Sequence, residues 1–472
     1  MPFTRTYCNP LPLPDYPAGG STRQTRRDQG WIRSAKADYR ETADPTALYH
    51  DGKWYLYPSC GMAYVSEDFV TWRHHRMEPY SIYAPTVHEI GGRFYLTGNS
   101  DRMYVSDNPL GPFRELGEMT DHDGKAFRWV DPMLFRDDDG QVYAYWGSGA
   151  PGIYGAEVDP HQPNQITTPP KLLIGYNPAH EWERYGNSNE DKGTNWNEGA
   201  WMLKHQGRYY LTYSGPGTEW STYAMGVYVS DHPLGPFAYA RRNPILRTTE
   251  GLVHGPGHGC IVPGPNGTLW AFYTCLARVD HKFERRVGVD PAGFDEEGNL
   301  FVRGASERPQ WGPGVLAHPE RGNDAGLVPA TILKIARASS ESPGRDAMYA
   351  VDNGIRTWWE AAPDDREPWL EVDLRSGGRD AFNVAAIRIL WREPGLNFAK
   401  GVLPGPVGYL LEGRIGDGPW RVLLDRRESA TDLLIDYRTF EPTLADRLRL
   451  TVVKTAKGIG VGVIEFTAFA AL

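Results

Sequence analysis

The apolar positions of this chain fall into short runs of alternating or continuous hydrophobic residues, each broken after four to eight residues by glycine, proline, aspartate or asparagine. That period and that punctuation predict β-strands joined by tight turns, with few helices. Five segments share one order of parts: a small or acidic opening, an apolar stretch, a turn containing Gly, then an aromatic-rich strand. They open at Asp44-Pro45-Thr46, Ala84-Pro85-Thr86, Asp131-Pro132-Met133, Glu198-Gly199-Ala200 and Gly257-His258-Gly259, spaced 40, 47, 67 and 59 residues apart. The second and fourth continue alike, Met103-Tyr-Val-Ser-Asp-Asn-Pro-Leu-Gly-Pro-Phe113 against Val227-Tyr-Val-Ser-Asp-His-Pro-Leu-Gly-Pro-Phe237. Asp51-Gly52, Asp139-Gly140 and Asn266-Gly267 are dipeptides that accept the positive φ angles of tight hairpins. Self-similarity at this period predicts the blades of a five-bladed β-propeller. An all-β sandwich competes, but it does not require the repetition.

A second pattern follows. Residues 304–328 are rich in Gly and Pro and predict a packed linker. Beyond them, Ile335–Ser342, Ala350–Glu360, Pro368–Leu374, Val384–Leu390, Gly408–Gly413, Leu448–Val453 and Gly462–Phe469 predict a jelly-roll β-sandwich over 329–472. The fold class expected is therefore all-β: a five-bladed propeller over 1–303 followed by a β-sandwich. At 472 residues, two domains are what chain length alone suggests.

Composition changes the picture in three ways. Aromatics reach 12%, with 16 Trp and 26 Tyr, beside 53 Gly and 38 Pro, a mixture suited to strands and turns. The net charge of −9 argues against nucleic acid and anionic membranes as partners and leaves a neutral ligand such as a sugar. No stretch approaches the ~18–20 apolar residues of a membrane span, and the first residues show no signal-peptide pattern, so a cytoplasmic location is expected. Cys8, Cys60, Cys260 and Cys275 form no Cys-x-x-Cys pair. Cys260 and Cys275 flank the Asn266-Gly267 turn, which leaves a disulfide open, while a cytosolic chain would keep them as buried thiols.

The chemistry is expected at the blade openings. First strands line a propeller's channel, so equivalent openings converge at one mouth. Three of the five are Asp44, Asp131 and Glu198, and gathering three carboxylates works against charge repulsion, which a structural role does not justify. Aromatic side chains just ahead of the openings, Tyr83, Trp129 and Trp196, are candidate platforms for sugar rings, although each also suits the core. The long connection from Ile166 to Asn195 reads as a binding loop. The stretch from Ser21 to Thr42, with Arg23, Arg26, Arg27 and Arg33, either shapes the pocket entrance or is a solvated basic loop. Asp137-Asp138-Asp139 lacks a full calcium-loop pattern and is expected at a solvated hairpin tip.

Taken together, Ala43-Asp44-Pro45, Val130-Asp131-Pro132, Asn197-Glu198-Gly199 with Gly207-Arg-Tyr-Tyr-Leu211, and Gly255-Pro-Gly-His258 resemble glycoside hydrolase family 43, over roughly residues 5 to 303. The resemblance implies an inverting hydrolase with Asp44 as general base, Glu198 as general acid and Asp131 tuning and orienting the acid. It implies that His258 faces the channel and holds a water or a calcium ion, against the plainer reading of a histidine bonded within the channel wall. Arg286 is a candidate for substrate or for a catalytic carboxylate, or else a member of a structural ion pair. Ala338-Ser-Ser340, Asp352-Asn-Gly354, Thr357-Trp-Trp359 and Trp369-Leu-Glu-Val-Asp-Leu374 resemble discoidin-type, carbohydrate-binding-module-like sandwiches. Trp358 and Trp359 are then expected in or near the core, and Asp352 is a candidate calcium ligand. No cofactor is required, and structural calcium stays open. The expected substrates are terminal α-L-arabinofuranosides or β-D-xylosides, with β-D-galactofuranosides after them, in oligo- or polysaccharides. A non-catalytic glycan-binding propeller is the alternative, and it predicts loss of a carboxylate. A retaining fructan hydrolase would want an Asn-Asp-Pro-Asn opening and Glu-Cys at the acid, which this chain lacks.

Overall fold

A computed structural model describes residues 2–19, 38–59, 61–77, 82–277, 279–375 and 381–471. The predicted repeats are five antiparallel sheets, each built from one contiguous stretch of chain. Their first strands are Thr46–His50, Thr86–Ile90, Met133–Arg136, Glu198–His205 and His254–Pro263. Each packs against the first strand of the next sheet, and the fifth packs against the first, so the five close into a ring. The third and fourth blades gain an extra edge strand, Lys171–Gly175 and Leu246–Arg247 respectively. Among the described residues no strand is exchanged to close the ring. The N-terminal segment instead runs beside the fifth blade, where the Leu11 N–H donates to the Val287 carbonyl at 2.8 Å and the Asn9 Nδ2 donates to that of Val289 at 2.9 Å.

Continuous apolar runs along the inner strands explain why these residues form blades. In Lys53–Tyr57 and Val142–Trp146 nearly every side chain is buried, because both sheet faces are covered by neighbouring blades. The predicted hairpin tip at Asp137–Asp139 differs from expectation. Asp137 is buried, accepts hydrogen bonds from Tyr209 Oη and Lys204 Nζ of the next blade, and is held below the usual carboxylate range by them despite its burial. It is an inter-blade tie.

The C-terminal region is a sandwich of two five-stranded sheets. One contains Leu327–Pro329, Gly462–Ala471, Phe382–Arg392 and Ile435–Ala445, with Trp359–Glu360 on its edge; the other runs through Ile335–Ala338, Trp369–Asp373, Arg447–Lys454, Gly408–Arg414 and Arg421–Asp425. Trp359 is fully enclosed as expected, whereas Trp358 is only half-buried, with the guanidinium groups of Arg345 and Arg392 against its ring. Within the Gly- and Pro-rich connection, Gln310–Trp311 pairs with Thr6–Tyr7, tying the chain's beginning to the junction. Arg388 of the sandwich donates to the carbonyls of Asn9 and Glu307 at 2.6 and 3.0 Å. Cys8, Cys260 and Cys275 are buried free thiols; Cys260 pairs across the strands with Phe272 rather than with Cys275, and Cys60 lies outside the described residues.

Candidate active site

Every blade opens on a residue in the left-handed region: Asp44 (φ 52°), Ala84 (45°), Asp131 (49°), Gly199 (64°) and His258 (40°). Such backbone is costly for a residue with a Cβ and persists only where its surroundings hold it. They do so by one device. The N–H of each opening residue donates to a side chain at the end of the preceding blade's second strand: Asp44 to Thr274 Oγ1 (2.8 Å), Ala84 to Ser59 Oγ (2.9 Å), Asp131 to Asn99 Oδ1 (2.6 Å) and His258 to Ser214 Oγ (2.8 Å). At the fourth blade the matching position is Gly147, which has no side chain, and the Gly199 N–H donates to the carboxylate of Asp131 instead. Strand register thus corrects the reading of three equivalent acids. Gly199, not Glu198, is the counterpart of Asp44 and Asp131, and Glu198 stands one residue earlier.

That offset seats Glu198 differently. Its Oε1 accepts from Tyr223 Oη at 2.7 Å, and its Oε2 accepts from Trp196 Nε1 at 2.9 Å and Ser148 Oγ at 3.1 Å. Burial, then the neighbouring Asp131, push its carboxyl up to about 7 against the pull of His258 and Tyr223. Asp131 is pushed up to about 7 as well, by burial and then by Asp44. The pair therefore favours retention of a proton near neutrality. Asp44 sits in a different setting: Ser59 Oγ donates to its Oδ2 at 2.7 Å, and Arg285 Nη1 to its Oδ1 at 3.0 Å. Arg285 is fully buried and also donates to Glu41 Oε1, Tyr83 Oη (2.8 Å) and Thr218 Oγ1 (3.2 Å). His258 lies between the acids, its Nδ1 3.5 Å from Asp44 and 3.8 Å from Asp131.

The remaining sequence candidates divide. Tyr83 reaches the site through Arg285. Trp196 is 45% exposed, with its indole N–H on Glu198. Trp129 is fully buried, donates to Thr97 Oγ1 and packs on Phe127 and Trp146; it is core, because the side chain before the third opening turns inward between blades. Arg286 points away from the site: it donates to the Arg40 and Arg285 carbonyls and to Glu284, and stacks over Tyr16. Successive residues of a strand face opposite sides, so its neighbour Arg285 takes the place expected of it. In the long connection, Trp182 and Asn189 are buried against the fourth blade, and Glu183 accepts from Asn197 Nδ2 at 3.1 Å, buttressing the residue beside Glu198. Arg23, Arg26, Arg27 and Arg33 lie outside the described residues.

Among the described residues, Asp131, Glu198 and His258 are the one group whose ligand atoms gather within 4.8 Å. They offer one imidazole and two carboxylates already accepting O–H and N–H donors, which is a poor match for the six to eight oxygens of calcium. Asp352, the other metal candidate, accepts from the Gly354 N–H and Thr357 Oγ1, both at 2.8 Å.

Sequence reasoning missed Arg285, Glu41, Tyr223 and Ser148. It also missed the capping side chains, although the repeats carry a signal for them: four of the five second strands run into Ser59, Asn99, Ser214 or Thr274.

The family model for glycosyl hydrolases family 43 matches residues 41–300. A β-xylosidase of Xylanibacter ruminicola is 25% identical over 326 residues, covering 55% of this chain and 95% of its own. A xylosidase/arabinosidase of Humicola insolens is 26% identical over 336 residues, covering 55% and 96%. A solved glycoside hydrolase structure superposes with a TM-score of 0.50 at 19% identity over 90% of this chain and 97% of its own, a likeness of fold that includes the C-terminal region. A ring of five blades with its acids at the channel mouth, and a family match across more than half of the chain, lead to one conclusion: the chain belongs to glycosyl hydrolases family 43 and is a glycoside hydrolase.

Proposed function

We propose that this hydrolase is an inverting, exo-acting enzyme that removes terminal pentoside or furanoside units, with Glu198 as general acid, Asp44 as general base and Asp131 setting the acid's protonation and orientation. The observation that carries the reading is the contrast between two buried carboxyls: Glu198, pushed up to about 7 beside Asp131, and Asp44, ion-paired with Arg285. An acid must arrive protonated and a base ionised, and these settings favour those states. In the reaction, Asp44 takes a proton from a water whose oxygen bonds to the anomeric carbon. Glu198 gives its proton to the glycosidic oxygen as the bond from carbon to that oxygen breaks, leaving an inverted hemiacetal and a free alcohol. Solvent then reprotonates Glu198 and deprotonates Asp44.

Trp196, beside Glu198, suits stacking against the leaving sugar's C–H face. α-L-Arabinofuranosides and β-D-xylosides are the first substrates to try, because the named relatives are a xylosidase and a xylosidase/arabinosidase, with β-D-galactofuranosides after them. The chemistry needs no resident metal, and activity is expected to survive EDTA. The test is a panel of p-nitrophenyl glycosides with Glu198→Ala and Asp44→Asn alongside, and proton NMR of the first-formed anomer. Each variant should lose about 10²–10⁴-fold in rate. Full activity in either variant, or retained configuration, would overturn the assignment.

A further inference from the structure

Arg40, four residues ahead of Asp44, is almost wholly enclosed. Its guanidinium is gripped by two carboxylates of the C-terminal sandwich. Nε and Nη2 donate to Glu393 at 2.8 and 2.9 Å, and Nη1 and Nη2 donate to Asp432 at 2.7 and 2.9 Å. The next residue, Glu41, accepts from both Nε and Nη2 of Arg285, and Arg285 reaches Asp44. Backbone bonds make this stretch continuous with the site: the Glu41 N–H donates to the Pro17 carbonyl and the Thr42 N–H to that of Arg285, each at 3.0 Å. Beside the clamp, Leu396, Phe398 and Ile459 of the sandwich pack on Ala18 and Tyr39, and Tyr39 stacks on His281 with ring centroids 4.5 Å apart.

Two buried carboxylates on one arginine are a costly adhesive, since an apolar contact of the same volume would hold two regions together at least as well. What forked hydrogen bonds add is a fixed orientation for a planar group. We propose that Glu393 and Asp432 are positioning residues of the hydrolase: by clamping Arg40 they hold residues 40–44 in place and so set Glu41 and Arg285 against the general base. This rests on the assignment of Asp44 as that base. It gives the sandwich a part in catalysis that requires no sugar binding.

The experiment compares the full-length Asp432→Asn, Glu393→Gln and double variants with Arg388→Lys, which loosens the same junction without touching any residue of the site. The readouts are kcat, KM, Tm and the pH profile of kcat/KM on the best aryl glycoside. Among the described residues, the groups facing Asp44 include Arg285, His258, Ser59, Asp131 and, further out, Glu198 and Tyr223. Only the hold of Arg285 should change in the clamp variants. The double variant is expected to lose about 10–100-fold in kcat with KM nearly constant, as small displacements of reacting groups do. Its acidic limb should move to higher pH, because a loosened guanidinium favours the Asp44 carboxylate less, while the alkaline limb stays. Arg388→Lys should lower Tm and move neither limb. A folded double variant with wild-type kcat, or one that loses activity with an unmoved acidic limb, overturns the proposal. Should the double variant fail to fold, Asp432→Asn, which leaves Glu393 on Arg40, is judged by the same limb with a smaller shift expected. Asp44→Asn keeping the wild-type acidic limb would instead remove the base assignment, and the proposal with it, a result distinguishable from failure of the clamp.

Discussion

Glu198 meets three donors and still holds its proton up to about 7, because burial and Asp131 outweigh them. This balance can be tested one contact at a time. The Tyr223 hydroxyl stabilises the ionised form, so Tyr223→Phe should raise the pKa of Glu198 and move the alkaline limb of kcat/KM to higher pH. Asp131→Asn should move that limb to lower pH, since it removes the anion that opposes a second charge. The same substitution carries a stability prediction. Asp131 is raised to about 7 in the fold from an ordinary value near 4, so its favourable contribution is complete below about pH 4 and is lost as pH rises to 7. At pH 8, Asp131→Asn should therefore melt above the wild type, by on the order of 1–3 kcal/mol, with the difference fading towards pH 4. A melting series between pH 4 and 8 decides it. An equal Tm at pH 8 would mean that the site stores no such strain.

At the scale of the elements, the site depends on five left-handed turns and the side chains that cap them. At Gly199 a Cβ would crowd the device: one built there would lie 3.1 to 3.2 Å from the ring and Cα of His258, on backbone with φ at 64°. Gly199→Ala should cost about 1–2 kcal/mol from the turn alone. It should also push His258 from its place between the acids, lowering kcat more than the loss of stability explains; denaturant titration beside kinetics separates the two. Ser214→Ala removes the acceptor for the His258 N–H and should cost about 1–2 kcal/mol, because a buried N–H is left unpaired. The long connection behind Glu198 serves as a buttress, with Glu183 buried among Tyr213, Asn197 and His180.

On the scale of the whole molecule, the two regions share charges that neither can keep alone. Among the described residues, Arg40 donates to two carboxylates of the sandwich, and Arg388 donates to carbonyls of the N-terminal segment and the junction. In a chain ending near residue 328, Arg40 would lose both carboxylates, and an Arg40 that stayed buried would cost about 3–5 kcal/mol, as a buried pair broken on one side does. That is much of the stability of an ordinary domain. The truncated chain is expected to be insoluble or to melt far below the full protein, and thermal unfolding of the two forms tests this. A truncated form with wild-type Tm and kcat would show that the junction is dispensable.

Much of this was legible in order of residues alone. Hydrophobic period, turn dipeptides and repetition are local properties, so they determined strands, blades and the openings that carry Asp44, Asp131 and Glu198. What local patterns do not encode is which way a side chain turns once blades pack. Arg285 and Arg286 are adjacent and alike in sequence, and only the strand's orientation in the ring sends Arg285 to Asp44 and Arg286 to Glu284. Trp129 and Trp196 both precede an opening, yet one is fully enclosed between blades and the other stays at the mouth. The shift that makes Gly199, not Glu198, the fourth opening follows from register, which is set by pairing across the sheet. The reach of Glu393 and Asp432 back to Arg40 spans more than 350 residues of chain, a contact that no periodicity announces and that exists because the sandwich docks beside the segment leading to Asp44.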